Sequence, residues 1–118
     1  MSNNETKLQQ EIRLAIGKIP TLRLFRNQVG QLPDPRTGRY VQFGLAKGSS
    51  DLIGFKKIKI TEDMIGQEIA QFVSIEIKTE KGKLTPQQNN WLTFINKAGG
   101  ITGVARSIND VFKILSLK

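Results

Sequence analysis

Apolar and polar positions follow a helical period near both ends of the chain and a strand period in its centre. Near the N-terminus, apolar residues recur every three to four positions and predict a first helix that ends before Pro20, with Ser2 and Glu5 as a capping box. The residues at this spacing are Leu8, Ile12, Ala15, Ile16 and Ile19. The pattern is typical of an amphipathic helix.

Strand patterns fill the middle of the chain and return once near its C-terminal end. Runs rich in β-branched and aromatic residues predict strands at residues 21–26, 40–43, 51–60, 68–79 and 101–106. Asp51 stands at the beginning of the third strand, and the fourth contains the clearest pattern, from Phe72 to Lys78. Residues 27–39 contain two prolines and two glycines and are interpreted as a loop, and residues 61–66 as a turn or one helical turn.

Two helices are predicted in the C-terminal part. Thr85, Pro86 and Gln88 indicate a helix start, with Thr85 as N-cap, Pro86 in the first turn and Gln88 completing a capping box. Gly99 and Gly100 end this helix, and Ser107 caps the last one. The face of the middle helix consists of Gln88, Trp91, Leu92 and Ile95. We interpret Trp91 as a core residue rather than as a platform for stacking bases.

The chain has 118 residues, which fits a single domain over residues 1–118. The order of elements predicts an α/β fold with a central mixed sheet flanked by helices. No apolar run is long enough to span a bilayer, and the N-terminal residues show no secretion signal, so we expect no membrane partner and a cytoplasmic location.

The amino-acid composition limits the catalytic groups and metal sites that the chain can form. The chain has neither cysteine nor histidine, which excludes thiolate nucleophiles, histidine general bases and ordinary structural zinc sites. Asp, Glu, Lys and hydroxyl groups remain, and a metal held by such oxygen ligands is expected to be Mg²⁺ or Mn²⁺. The formal net charge of +8 favours a polyanionic partner, with nucleic acid first.

Glu76 and Lys78 stand two positions apart on the predicted strand, so their side chains project from the same face. If the strand that begins at Asp51 pairs with this one, two carboxylates and an ammonium group gather around one point. Such a site suits phosphodiester hydrolysis, in which a cation neutralises the phosphate and a lysine directs the water, deprotonates it or stabilises the developing charge. The sequence leaves these three roles of Lys78 open.

Five segments in this order resemble a known family. They are Gly48-Ser49-Ser50-Asp51-Leu52-Ile53-Gly54, Ile75-Glu76-Ile77-Lys78-Thr79, Leu84-Thr85-Pro86-Gln87-Gln88, Ala98-Gly99-Gly100 and Val104-Ala105-Arg106-Ser107. Together they resemble the VRR-NUC (virus-type replication-repair nuclease) domain, a branch of the PD-(D/E)XK nuclease superfamily with a restriction-endonuclease-like fold. Ser50 stands where the superfamily label has proline, which leaves the acid in place.

The resemblance implies a set of site residues. Asp51 and Glu76 would ligate Mg²⁺ or Mn²⁺, the carbonyl of Ile77 would add a ligand, and Glu11 on the first helix would hold the metal through water. Lys78 would be the catalytic lysine. Gln88 would contact the scissile phosphate or its water, besides capping its helix.

The resemblance also implies DNA as the substrate. Stand-alone members of this kind are small homodimers that cut branched DNA such as four-way (Holliday) junctions in DNA repair, and a phage or bacterial origin is plausible from the family. Cationic side chains in the loops are expected to contact phosphates. These residues are Arg36, Arg39, Lys47, Lys81 and Lys83.

Two other functions fit some of the same residues. The first is a basic DNA-binding module without catalysis, in which the acids serve as structural ion pairs. The second is a ribonuclease-H-like enzyme that uses Asp51, Glu76 and Asp110 and needs no lysine.

Overall fold

The computed structural model describes residues 3–116, which form two compact units that divide at Ile58 and Lys59. The first unit contains α1 (Asn3–Ile16), β1 (Leu22–Arg26), β2 (Gly30–Pro33), β3 (Tyr40–Phe43) and β4 (Leu52–Lys56). The second contains a 3-10 turn (Glu62–Met64), β5 (Val73–Ile77), α2 (Pro86–Lys97), β6 (Ile101–Ala105) and α3 (Ile108–Ile114). No helix within residues 3–116 has the length and apolar content needed to cross a membrane.

Helix α1 differs from its prediction at its C-terminal end. It ends at Ile16 rather than Ile19, because Gly17 is a poor helix former and a residue before proline disfavours helical backbone. After Ile16 the chain forms a turn instead, in which the Ile19 N–H donates to the Ile16 carbonyl at 2.9 Å. Most of the predicted apolar face is exposed, including Leu8 and Ile12. The predicted Ser2 cap lies outside the described residues.

Strands β1 and β4 form an antiparallel pair in which Leu24 lies opposite Gly54. A side chain at position 54 would overlap with the carbonyl of Arg23, so glycine is required for this close approach. The predicted extension of β4 to residue 60 is wrong. Lys56 pairs with Leu22, the first residue of β1, and beyond that point the partner strand has ended.

The loop predicted over residues 27–39 is partly a β-hairpin. Strand β2 pairs antiparallel with β3, with Gly30 opposite Phe43 and Pro33 opposite Tyr40. Pro33 is tolerated because it stands at the end of a two-stranded sheet. Pro33, Pro35 and Gly38 therefore mark the hairpin tip rather than a long irregular loop, and the strand β3 was predicted correctly.

The second unit is built on a parallel pair, β5 and β6, joined through α2. Strand β5 is shorter than the predicted 68–79, because β6 begins at Ile101, which pairs with Val73. Parallel strands need a crossover connection, and α2 provides it. The mixed α/β class is confirmed, with parallel and antiparallel strands in three small sheets.

Helices α2 and α3 cover opposite faces of this parallel pair. Side chains of α2 donate hydrogen bonds to Ser74 and Glu76, which share one face of β5. Gly103 lies opposite Ile75 on the other face, and a side chain there would run into Ile114 of α3. The unit is therefore a small α/β/α sandwich.

The core of this sandwich is narrow. Among the described residues, the buried apolar side chains are Leu92 and Ile95 of α2, at 8% and 0% exposure, and Ala105 of β6 at 1%. Trp91 is 39% exposed, so its prediction as a core residue is wrong. It lies one position before Leu92, about 100° around the helix, and reaches the rim of the sheet instead of the core.

The helix starts in this unit match their predictions. The Thr85 hydroxyl accepts from the Gln88 N–H at 3.1 Å, and the Gln88 side-chain oxygen accepts from the Thr85 N–H at 3.0 Å. Pro86 occupies the first turn, and Gly99 follows the helix with a φ of 102°. The Ser107 hydroxyl likewise accepts from the Asp110 N–H at the start of α3.

We predict that Gly54→Ala destabilises the protein by about 1–3 kcal/mol, because the added methyl group meets the backbone of β1, which cannot move without breaking the pairing. Urea denaturation followed by circular dichroism measures the effect. Gly103→Ala is the matched control, since its methyl group meets only side-chain atoms of Ile114, which can rotate. Equal losses in the two variants would contradict the assigned register of β1 and β4.

Candidate active site

Glu76 and Lys78 lie together on β5 and the residue that follows it, as the strand period predicted. The Lys78 Nζ atom is 3.7 Å from Glu76 Oε1, and the two side chains are 19% and 31% exposed. Ile77, between them, faces the opposite side of the strand, and it is 68% exposed. The acid and the amine therefore form a partly solvent-accessible pair.

Gln88 connects this pair to the start of α2. Its side-chain nitrogen donates to Glu76 Oε1 at 2.7 Å, while its side-chain oxygen completes the capping box. Both contacts of Glu76 use Oε1, so Oε2 is not engaged in either of them. One residue thus caps the helix and orients the carboxylate.

The backbone carbonyl of Ile77 points away from β6. The Lys78 N–H donates to the Ala105 carbonyl at 3.0 Å, so the backbone groups of Lys78 face the neighbouring strand. Backbone groups alternate in direction along a strand, and those of Ile77 therefore face the other way. This direction leaves the carbonyl on the side of β5 away from its partner strand.

Asp51 lies in the first unit, directly before β4, and its position is set by Asn27. The Asn27 N–H donates to the Asp51 carbonyl at 2.8 Å, and its side-chain nitrogen donates to Ser49 Oγ at 2.7 Å and the Ser50 carbonyl at 2.9 Å. Its side-chain oxygen accepts from the Leu45 N–H at 3.1 Å. Asn27 therefore fixes the turn that leads into Asp51, whose side chain is exposed.

The remaining predicted acid, Glu11, is an exposed residue of α1 in the first unit. Within residues 3–116 no three acidic side chains form a ready-made metal cluster. The structure thus brings together Glu76, Lys78 and Gln88, and describes Asp51 and Glu11 separately in the other unit.

The predicted DNA-binding residues lie in exposed turns. Arg36 and Arg39 stand at the tip of the β2–β3 hairpin, where the Arg36 Nε atom is 3.6 Å from the Asp34 carboxylate. Lys47 lies in the turn before β4, and Lys81 and Lys83 lie in the turn between β5 and α2. All five side chains belong to exposed residues.

Arg106 is a residue whose contribution the sequence did not reveal. Its guanidinium group donates to the carbonyls of Thr79, Glu80 and Gly82. It therefore holds the turn that carries Lys81 directly after the Glu76–Lys78 pair. The motif around Arg106 was recognised, but nothing in a single sequence shows that an arginine 24 residues away bonds to the Gly82 carbonyl.

A second feature missed from the sequence is a polar cleft in the first unit. It encloses about 190 Å³ and is lined by Thr6, Gln9, Gln10, Arg13 and Arg26. Two arginines in one cleft favour anions. The proximity of Arg13 to the end of β1 depends on tertiary packing, which the sequence pattern does not show.

Asp110, which the ribonuclease-H-like alternative requires, is engaged at the start of α3, where Ser107 is the N-cap. Its carboxylate accepts from the Arg106 N–H at 2.8 Å at the start of α3. Helix α3 covers the face of the β5–β6 sheet opposite to that of Glu76. This placement disfavours a shared metal site of Glu76 and Asp110.

The donors present fit a hard divalent cation. Glu76 offers a partly exposed carboxylate that is oriented by a neutral amide, and the Ile77 carbonyl points away from its partner strand. Carboxylate and carbonyl oxygens are the ligands that Mg²⁺ and Mn²⁺ prefer.

Comparison with known families now identifies the chain. A family model for the VRR-NUC domain matches residues 3–109, which is nearly the whole chain. The chain belongs to the VRR-NUC family. No curated protein and no solved structure matches it significantly. VRR-NUC is a nuclease domain with a PD-(D/E)XK-like fold, so the match supports a nuclease that acts on DNA.

We predict that Gln88→Ala lowers the free energy of unfolding by about 1–2 kcal/mol, because it removes a reciprocal helix cap and a hydrogen bond to a carboxylate. Thermal or urea unfolding measures the change. Gln87→Ala is the matched control, since Gln87 is the exposed neighbour on the same turn. Equal stability of the two variants would argue against the dual role of Gln88.

Proposed function

We propose that this VRR-NUC domain is a divalent-metal-dependent DNA endonuclease. Asp51 and Glu76 are the proposed metal ligands, with the Ile77 carbonyl as a further ligand and Glu11 acting through water. Lys78 is the proposed catalytic lysine. The observation that carries the proposal is the cluster on β5, in which Glu76 is flanked by Lys78 at 3.7 Å and bonded by Gln88 at 2.7 Å.

Each residue of the cluster has a chemical task. A bound Mg²⁺ or Mn²⁺ would supply charge neutralisation at the phosphate and acidify the attacking water. Lys78, beside Glu76, directs the water, deprotonates it or stabilises negative charge on the phosphate oxygens. Gln88 holds the Glu76 carboxylate in one orientation, and its amide is the proposed contact to the scissile phosphate or its water.

The fold proposed for the whole chain follows from the family. It is the PD-(D/E)XK-like fold, a central mixed sheet flanked by helices, formed by residues 1–118 as a single domain. Two features are compatible with this fold. They are the parallel pair β5–β6 with helices on both faces in the second unit, and the antiparallel pair β1–β4 in the first unit, in which β4 begins directly after Asp51. The proposed compartment is the cytoplasm.

DNA is bound, in this proposal, through the net charge of +8 and through cations in the exposed turns. The proposed contacts are made by Arg36, Arg39, Lys47, Lys81 and Lys83. Branched DNA, with four-way junctions first, is the proposed substrate structure. A homodimer with two symmetric sites would match the two-fold symmetry of such a junction.

We predict that Glu76→Gln and Lys78→Ala each reduce DNA cleavage at least about a hundredfold while binding is retained, because each removes charge needed at the reacting phosphate. Cleavage is measured on labelled DNA with Mg²⁺, with Mn²⁺ and with EDTA, and EDTA should abolish it. Glu80→Gln is the matched control, an exposed acid in the following turn.

Two outcomes would contradict this proposal in different ways. Full cleavage by Lys78→Ala would favour a mechanism that needs no lysine. DNA binding that is indifferent to Mg²⁺, with no cleavage of any substrate by the unaltered protein, would favour the non-catalytic DNA-binding module.

We predict that four-way and flapped DNA are cut faster than linear duplex of the same sequence, because a four-way junction bends its strands at the branch point and a flap adds unpaired nucleotides, and a structure-selective nuclease binds such features. Parallel time courses on the three substrates measure the preference, and analytical ultracentrifugation measures the mass in solution. Equal rates on all three substrates would exclude structure selectivity, and a monomeric mass would exclude the homodimer.

A further inference from the structure

The surroundings of Trp91 point to a binding role beyond the catalytic residues. Trp91 lies three residues after Gln88 on α2, so the two side chains are neighbours on the helix surface. Gln88 bonds to Glu76, and Trp91 bonds to Ser74, two residues earlier on the same face of β5. The indole ring is thus a direct neighbour of the proposed catalytic cluster.

The ring is both fixed and exposed. Its Nε1 atom donates to Ser74 Oγ at 2.8 Å, which ties the edge of the indole to the strand. At the same time 39% of Trp91 remains exposed, whereas Leu92 and Ile95 of the same helix are buried. An aromatic side chain that is held at its edge and is 39% exposed can offer part of its ring to a base.

The distance between Ser74 and Glu76 along β5 suits a nucleotide next to the scissile phosphate. Alternate residues of a strand are separated by about 6.6–6.8 Å, a distance on the scale of one or two nucleotides along a DNA strand. A base that stacks near Ser74 therefore belongs to a nucleotide one or two steps away from a phosphate at Glu76. Lys78 supplies positive charge on the phosphate side.

We propose that Trp91 stacks on an unpaired DNA base adjacent to the phosphate that is cut. The inference rests on the proposed nuclease function and deepens it, because it identifies what part of the substrate is recognised. A base inside a duplex is stacked on both faces, so only an unpaired or displaced base can cover the indole. The ring thereby selects strands that are open at the cleavage position.

The chain contains one tryptophan, so its intrinsic fluorescence reports on Trp91 alone. We expect single-stranded oligothymidine, added in EDTA so that no cleavage occurs, to quench this fluorescence. A closed duplex hairpin of equal length should leave it nearly unchanged. The unaltered protein is used, so this measurement does not depend on the folding of any variant.

Variants give the second measurement. Trp91→Ala should weaken binding of the single strand by about 5- to 150-fold, the range for loss of one base–aromatic stack, and should leave duplex binding unchanged. Trp91→Phe, which keeps a ring, should lose less. Phe112→Leu is the control, because Phe112 is an exposed aromatic residue of α3, on the other side of the sheet. Circular dichroism verifies that each variant is folded.

Three results would overturn the inference. The first is unchanged fluorescence when the protein is saturated with the single strand, and the second is equal weakening of single-strand and duplex binding by Trp91→Ala. The third is a change of oligomeric state in Trp91→Ala, which would assign the ring to a protein interface. Cleavage by the unaltered protein distinguishes the two proposals. If DNA is cut but the fluorescence of Trp91 does not change, only the stacking proposal fails. If the fluorescence changes but no DNA is cut, the nuclease proposal fails.

Discussion

The hydrogen bond from Gln88 to Glu76 is the interaction on which the rest of the second unit depends. The same side chain closes the capping box with Thr85, so the first turn of α2 and the carboxylate on β5 are fixed to each other. Any rotation of α2 about its axis would break the cap or the contact with the strand. The place of Trp91 follows from this register, because Trp91 lies three residues after Gln88 on α2 and bonds to Ser74 on the same face of β5.

Both acids proposed as metal ligands are positioned through neutral amides. Gln88 bonds to the carboxylate of Glu76, and Asn27 fixes the backbone of the turn that ends at Asp51. An amide orients a carboxylate or a turn without cancelling the negative charge of the acid. An arginine in the same place would compete with a metal cation for the carboxylate. The arginine nearest to the cluster in sequence, Arg106, donates to backbone carbonyls instead.

Local physics explains which features the sequence revealed. The cap at Thr85, the end of α2 near Gly99 and the shared face of Glu76 and Lys78 depend on residues within four positions of each other, and all were predicted correctly. The features that were missed depend on distant partners. Strand β2 forms because β3 pairs with it, and Asn27 bonds to a serine 22 residues away. The helical period predicted that Trp91 lies on the apolar face of α2, but it did not show that Trp91 lies at the edge of that face, where it stays 39% exposed.

The exposure of Trp91 is costly for a unit with so narrow a core. A tryptophan buries up to about 250 Å² when fully packed, and at about 25 cal/mol per Å² its exposed 39% corresponds to roughly 2 kcal/mol of unused hydrophobic stabilisation. The bond to Ser74 also adds rigidity to a ring that packing alone does not enclose. A DNA base that stacks on the ring would cover this exposed surface next to Glu76.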